Sequence, residues 1–161
     1  MIKRFEIVQD EDSRVSLQCV ESFDISTGDD LSVYDILYIV KECFSLDILN
    51  NEHVYIVSTD YRGKIIGVFL VSIGDYKGCN VYNRSIGIFL LLIGTKKFLM
   101  VHNHPDNQVY ASVDDITNSI ELDGLGKLLG LQFVGSYIIG RDGWCKVNNG
   151  NEEIEEWEDY E

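Results

Sequence analysis

Apolar and polar positions alternate with a period of two over residues 1 to about 25, around Phe5-Glu6-Ile7-Val8 and Val15-Ser16-Leu17-Gln18-Cys19-Val20. This predicts one or two edge strands, with the acidic turn Asp10-Glu11-Asp12 between them. From Ser32 the period changes: Val33, Ile36, Leu37, Val40 and Phe44 fall on one face of an amphipathic helix, with Ser32 or Asp30 available near its N-terminus. Two β-branched and aromatic runs follow, Val54 to Ser58 and Ile65 to Val71, separated by the turn Asp60-Tyr61-Arg62-Gly63. They predict a hairpin of central strands buried on both faces. The apolar run Ile86 to Ile93 is ambiguous by period alone. Phe98 to Val101 reads as a short strand running directly into His102-Asn103-His104-Pro105. Helical spacing returns at Ile116, Ile120, Leu125, Leu128 and Leu129, interrupted by glycines, and Tyr137-Ile138-Ile139 before Gly140-Arg141-Asp142-Gly143 reads as strand and turn. Interleaved helices and strands make the fold class α/β, with a mixed central β-sheet flanked by helices.

The chain of 161 residues holds 13 Lys and Arg against 27 Asp and Glu, a net charge of −14. That excludes a broad basic surface, so nucleic acid is not an expected partner, and the same sign disfavours an anionic membrane. A 45% hydrophobic content supplies enough apolar surface for a folded core. No apolar stretch approaches the roughly 18 residues of a membrane span, and the N-terminal residues show no signal-peptide pattern. Cys19, Cys43, Cys79 and Cys145 contain no C-x-x-C pair, which favours reduced thiols and a cytoplasmic protein over a disulfide framework. The organisation expected is peripheral strands over 1–30, a main domain over 31–147 and an acidic tail over 148–161.

The chemistry gathers in one stretch. His102 and His104 are two apart, so on a strand they project to the same face, and Pro105 then ends the ladder. Ser112 stands at an expected helix N-cap with Asp115 at N3, so a strand end and a helix mouth can converge. Two imidazoles and a carboxylate form a reasonable zinc ligand set with an open fourth position. Hydrolysis also needs a base for the water proton, and spacing leaves Glu42, Asp47, Glu52, Asp60 and Asp75 as upstream candidates. Taken singly, H-x-H is often an unliganded pair and Ser-x-x-Asp is most often only a cap; together they point to a metal site.

With H-x-H-P, a loop and S-x-x-D, the chain resembles the JAMM/MPN metalloproteases, and specifically the bacterial RadC-type JAB domain. The resemblance extends to Asn51-Glu52-His53-Val54-Tyr55-Ile56-Val57, Leu128-Leu129-Gly130-Leu131-Gln132-Phe133 and Tyr137-Ile138-Ile139-Gly140, about Ser32 to Val147 in all. It implies a layered, cytidine-deaminase-like architecture, makes 31–147 the JAB/MPN catalytic domain and turns Asn83 to Ile93 into a helix capped by Gly94. It also implies Zn2+ on His102, His104 and Asp115, Glu52 as the base acting on zinc-bound water, and Ser112 as a hydrogen-bond donor to the tetrahedral intermediate. The implied activity is hydrolysis of peptide or isopeptide bonds in a protein substrate. The sequence departs from the family pattern at Asp106-Asn107, where Ser-Gly is usual, at Ala111, where proline is usual, at Asp75 to Gly78, and at Gly135-Ser136, where Asp-His is common. A differently shaped loop over Asp106 to Tyr110 is therefore expected, bearing on substrate choice more than on metal. No helix-hairpin-helix region of the kind that precedes full-length RadC JAB domains is visible, so a DNA-repair role has no sequence support.

The rival reading is a weak or inactive JAB-fold module serving binding or scaffolding. A homodimer and docking of the acidic tail on a partner are the remaining partner expectations. In that tail Ile154, Trp157 and Tyr160 recur every third residue among acids. A solvated, frayed end is the favoured expectation, against docking on a partner or folding back on the same domain. Seven of the 27 acids lie in residues 152–161, where no Lys or Arg stands, so half of the charge imbalance belongs to the tail.

Overall fold

A computed structural model describes residues 1–75, 79–148 and 153–158. Its eight strands are β1 (Ile2–Gln9), β2 (Val15–Phe23), β3 (His53–Thr59), β4 (Ile65–Ile73), β5 (Lys97–Asn103), β6 (Gln132–Ile139), β7 (Gly143–Lys146) and β8 (Ile154–Glu156). The helices are α1 (Val33–Phe44), α2 (Asn83–Ile93) and α3 (Val113–Leu129). The strands form one mixed sheet in the order β2-β1-β4-β3-β5-β6-β7-β8. Neighbours run antiparallel except β1 with β4 and β5 with β6. The hairpin predicted over 54–71 is present as β3 and β4, and the N-terminal pair extends the same sheet at its β4 side.

Alternation along the central strands divides the core into two layers. Tyr55, Val57, Leu99 and Val101 face α1, through Ile36, Leu37 and Val40. Val54, Ile56, Phe98 and Met100 face α2 and α3, through Ile86, Phe89, Leu90 and Leu122. The sheet is thus sandwiched between one helix and two. Continuing that alternation along β5 sends His102 toward the α2/α3 side and Asn103 toward the other.

Helix termini follow local chemistry. Ser32, rather than Asp30, caps α1 in a capping box with Asp35, while Asp30 pairs instead with Arg62. The ambiguous run over 86–93 is helical, and Gly94 is its left-handed C-cap. In α3 the observed buried face differs from the predicted one: Ile120 and Leu128 are 62% and 82% exposed, and Leu122 is the fully buried leucine. The reason lies at Gly126, where a Cβ would sit 3.1 Å from the Leu131 carbonyl oxygen and 3.2 Å from the Phe98 ring. The helix rests on the sheet at that glycine, which fixes its rotation.

The tail is the main departure from expectation. Ile154–Glu156 pairs antiparallel with β7, so the described part is an ordered edge strand rather than a frayed end. Trp157 lies against Tyr34, Tyr38 and Trp144, its indole N–H donates to the Gly140 carbonyl at 3.0 Å, and Lys41 Nζ is 5.5 Å from its ring centroid. One half-buried aromatic thus anchors a stretch whose charge alone argued for solvation. Tyr160 lies outside the described residues. Replacing Trp157 with alanine should lower stability by about 2 kcal/mol, below the range for fully buried Trp because the ring is only partly buried. Urea denaturation followed by far-UV circular dichroism measures this, and an unchanged midpoint would mean the ring contributes nothing.

Candidate metal centre

The end of β5, the start of β3 and the mouth of α3 meet at one end of the central strands. β3 pairs with β5 so that Val54 lies opposite His102, which brings the preceding residue pair, Glu52 and His53, alongside the H-x-H segment. Ser112 caps α3: its Oγ accepts from the Asp115 N–H at 3.1 Å, and the Asp115 carboxylate accepts from the Ser112 N–H at 2.9 Å. The capping box therefore pins Asp115 in the first turn while leaving a carboxylate oxygen free to face the histidines.

His102 Nε2 lies 3.2 Å from His104 Nε2 and 3.1 Å from Asp115 Oδ1, and His104 Nε2 lies 3.3 Å from Asp115 Oδ2. Glu52 Oε1 stands farther off, 4.0 Å from His102 Nε2. The four residues form a cluster in which each offers one ligand atom, all within 4.8 Å of one another. His102 is fully buried and Asp115 nearly so. The cluster opens into a cleft of about 1030 Å³ that Ser112, Tyr110, Cys79 and Asp75 also line.

The donor set fits a metal ion on three grounds. His104 Nδ1 lies 2.8 Å from the Gln108 carbonyl oxygen, which can only accept, so Nδ1 carries a proton and Nε2 is the ring nitrogen turned to the cluster, where a metal would take the place of its proton. That nitrogen faces a second imidazole nitrogen and a carboxylate, an arrangement a shared cation satisfies. Finally, the separations of 3.1–3.3 Å approach the edge of a tetrahedron around zinc, which is about 3.3–3.6 Å for ligand bonds of roughly 2.0–2.2 Å.

The electrostatics divide the two carboxylates. Burial opposes ionisation of Asp115, but hydrogen bonds from His102 and His104 outweigh it and hold the carboxyl well below the usual range. Burial raises the Glu52 carboxyl, against the opposing pull of the two histidines. Glu52 is thus the more basic of the pair, as suits a group that takes and returns a proton rather than one that holds a cation.

The other upstream carboxylates are accounted for elsewhere or stand apart. Glu42 and Asp47 pair with Lys41. Asp60 accepts the Arg62 and Lys64 N–H groups in the β3–β4 turn, and Asp75 lines the cleft without joining the cluster.

Asn103 was not singled out in the sequence. Buried between the two histidines in the chain, it accepts the His53 N–H at 2.8 Å and donates to the Asn51 carbonyl at 3.0 Å, so its amide brackets Glu52 from both sides. The signal was available: a polar residue on the inward-facing parity of a buried strand needs partners.

A sequence model of the RadC-like JAB domain matches residues 32–151. The chain belongs to the RadC-like JAB domain family. Among curated relatives, a UPF0758 protein of Alkaliphilus metalliredigens is 29% identical over 131 residues, covering 79% of this chain and 52% of the relative. A UPF0758 protein of Finegoldia magna is 28% identical over 138 residues, covering 85% and 59%. The chain thus spans about half the length of the curated relatives it matches. Family and cluster together fit a JAMM-type metallohydrolase site able to bind a metal ion. No helix among the described residues is long and apolar enough to cross a membrane.

Asn103→Ala should cost about 2 kcal/mol, because it strands a donor and an acceptor that the amide now satisfies. Equilibrium denaturation checks the value, and wild-type stability would show that water replaces both bonds without loss.

Proposed function

We propose that the chain is a zinc-dependent hydrolase of peptide or isopeptide bonds. The observation that carries this reading is the convergence of His102, His104 and Asp115, with Glu52 one step farther out, in an open cleft. His102, His104 and Asp115 would hold the metal, which when bound supplies a Lewis acid that makes water a nucleophile near neutral pH. Glu52 accepts the proton of the attacking water at its carboxylate and delivers it to the leaving amine nitrogen. Its half-buried, raised carboxyl supports both transfers. Ser112 already accepts one hydrogen bond at its Oγ, which leaves the hydroxyl proton to donate to the carbonyl oxygen as charge develops there. Protein substrates suit a chain of net charge −14 better than nucleic acid does. Four free cysteines, with Cys79 at the cleft itself, fit a reducing cytoplasm.

Metal analysis and turnover of an isopeptide-linked and a linear peptide library test the proposal together. Wild type should carry one zinc and cleave; Glu52→Gln should keep the zinc and lose activity by at least about a hundredfold; His102→Ala should lose both. Activity retained in Glu52→Gln removes the assigned base. Zinc bound by wild type without any cleavage favours a binding or scaffold module instead.

A further inference from the structure

The loop that carries His104 away from the sheet is shaped by its own hydrogen bonds. The Asn107 N–H donates to the His104 carbonyl at 2.8 Å, and the Asp106 carboxylate accepts the Gln108 N–H at 3.0 Å. These bonds set the form of the turn but not its place. Placement comes from a neighbouring turn over 140–142, between β6 and β7. The Asn107 side-chain oxygen accepts the Arg141 N–H at 3.2 Å, crossing from one loop to the other. Beside it, buried Gly140 lies so close that a Cβ there would stand 3.0 Å from the Asn107 carbonyl oxygen and 2.9 Å from Val109 Cγ1.

The 140–142 turn is itself a fixed point. The Gly140 N–H donates to the Gly143 carbonyl at 2.8 Å, and the turn's outer side is held by Trp157, whose indole and backbone N–H groups donate to the carbonyls of Gly140 and Asp142 at 3.0 and 3.3 Å. The Gln108 carbonyl, one residue beyond Asn107, is the group that holds His104 through Nδ1 at 2.8 Å. A shift of the loop moves that carbonyl, and with it the direction in which His104 Nε2 points.

We infer that Asn107 is a positioning residue for His104: its side-chain oxygen, held by the Arg141 N–H, registers the loop against the 140–142 turn and so sets the imidazole that faces the cluster. The inference rests on the metal-centre reading for its consequence, though not for its geometry. Asn107 has φ 58°, a left-handed backbone that glycine adopts freely and that Asp tolerates better than most residues. Two substitutions therefore separate backbone from side chain. Asn107→Gly keeps the backbone and deletes the acceptor, whereas Asn107→Asp keeps an acceptor oxygen in the same place.

The test uses the full chain and two readouts. Competition with a chromophoric chelator gives the zinc dissociation constant, and long-range 1H–15N spectra of the imidazoles report the His104 Nδ1 proton. Asn107→Gly should weaken zinc binding about tenfold, the lower end for groups that orient a ligand, and should broaden or shift the His104 Nδ1 resonance. Asn107→Asp should match wild type in both. A glycine variant unchanged in both readouts overturns the inference, as does an aspartate variant that fails to the same extent as the glycine one. If wild type binds no zinc, the metal reading falls, and the Nδ1 resonance across the three proteins still decides the role of Asn107.

Discussion

The antiparallel register of β3 on β5 is the constraint on which the site depends. Val54 opposite His102 brings the residues just before β3 beside the two histidines, and the pairing continues through Thr59 opposite Lys97 without a bulge. Because side chains alternate, a slip of one residue would turn Val54 and Ile56 away from α2 and α3 and carry Glu52 away from the cluster at the same time. The core and the chemistry are therefore specified by the same pairing. Asn103 reinforces it with side-chain bonds to both neighbours of Glu52, so the register is held at the site end by a buried amide as well as by the ladder.

Much of this was legible in the chain. The period-two placement of His102 and His104, the Ser112–Asp115 capping box and the strand preceding them all depend on local chemistry, and local chemistry is what a sequence displays. Glu52 was different: five upstream carboxylates were equivalent by spacing, and only family resemblance separated it, because strand pairing rather than local pattern brings it to the cluster. The orientation of α3 was also hidden. Ile120 and Leu128 satisfy helical spacing, yet the contact is made at Gly126, and a glycine gives no hydrophobic signal. β7 and β8 escaped because short strands of mixed polarity lack a period long enough to read.

The loop after the histidines shows how a departure in sequence can leave a backbone requirement intact. Asp106-Asn107 stands where the family pattern has Ser-Gly, which sets Asn107 against the glycine, and its φ of 58° is one that glycine meets without strain and asparagine meets better than most residues. The change from glycine therefore does not by itself demand a new path for the chain. What it adds is a side-chain oxygen, and the Arg141 N–H uses it.

The Trp157 anchor has a consequence in time. Tyr34 and Tyr38 lie on α1, near the start of the chain, while Trp144 and Trp157 come more than a hundred residues later. During synthesis the aromatic side of α1 stays uncovered until nearly all of the sheet has been made, since chains fold as their segments emerge. The acids around Trp157 then suit a segment that must stay soluble before it docks: they keep an apolar anchor from associating with other surfaces while its own partner waits.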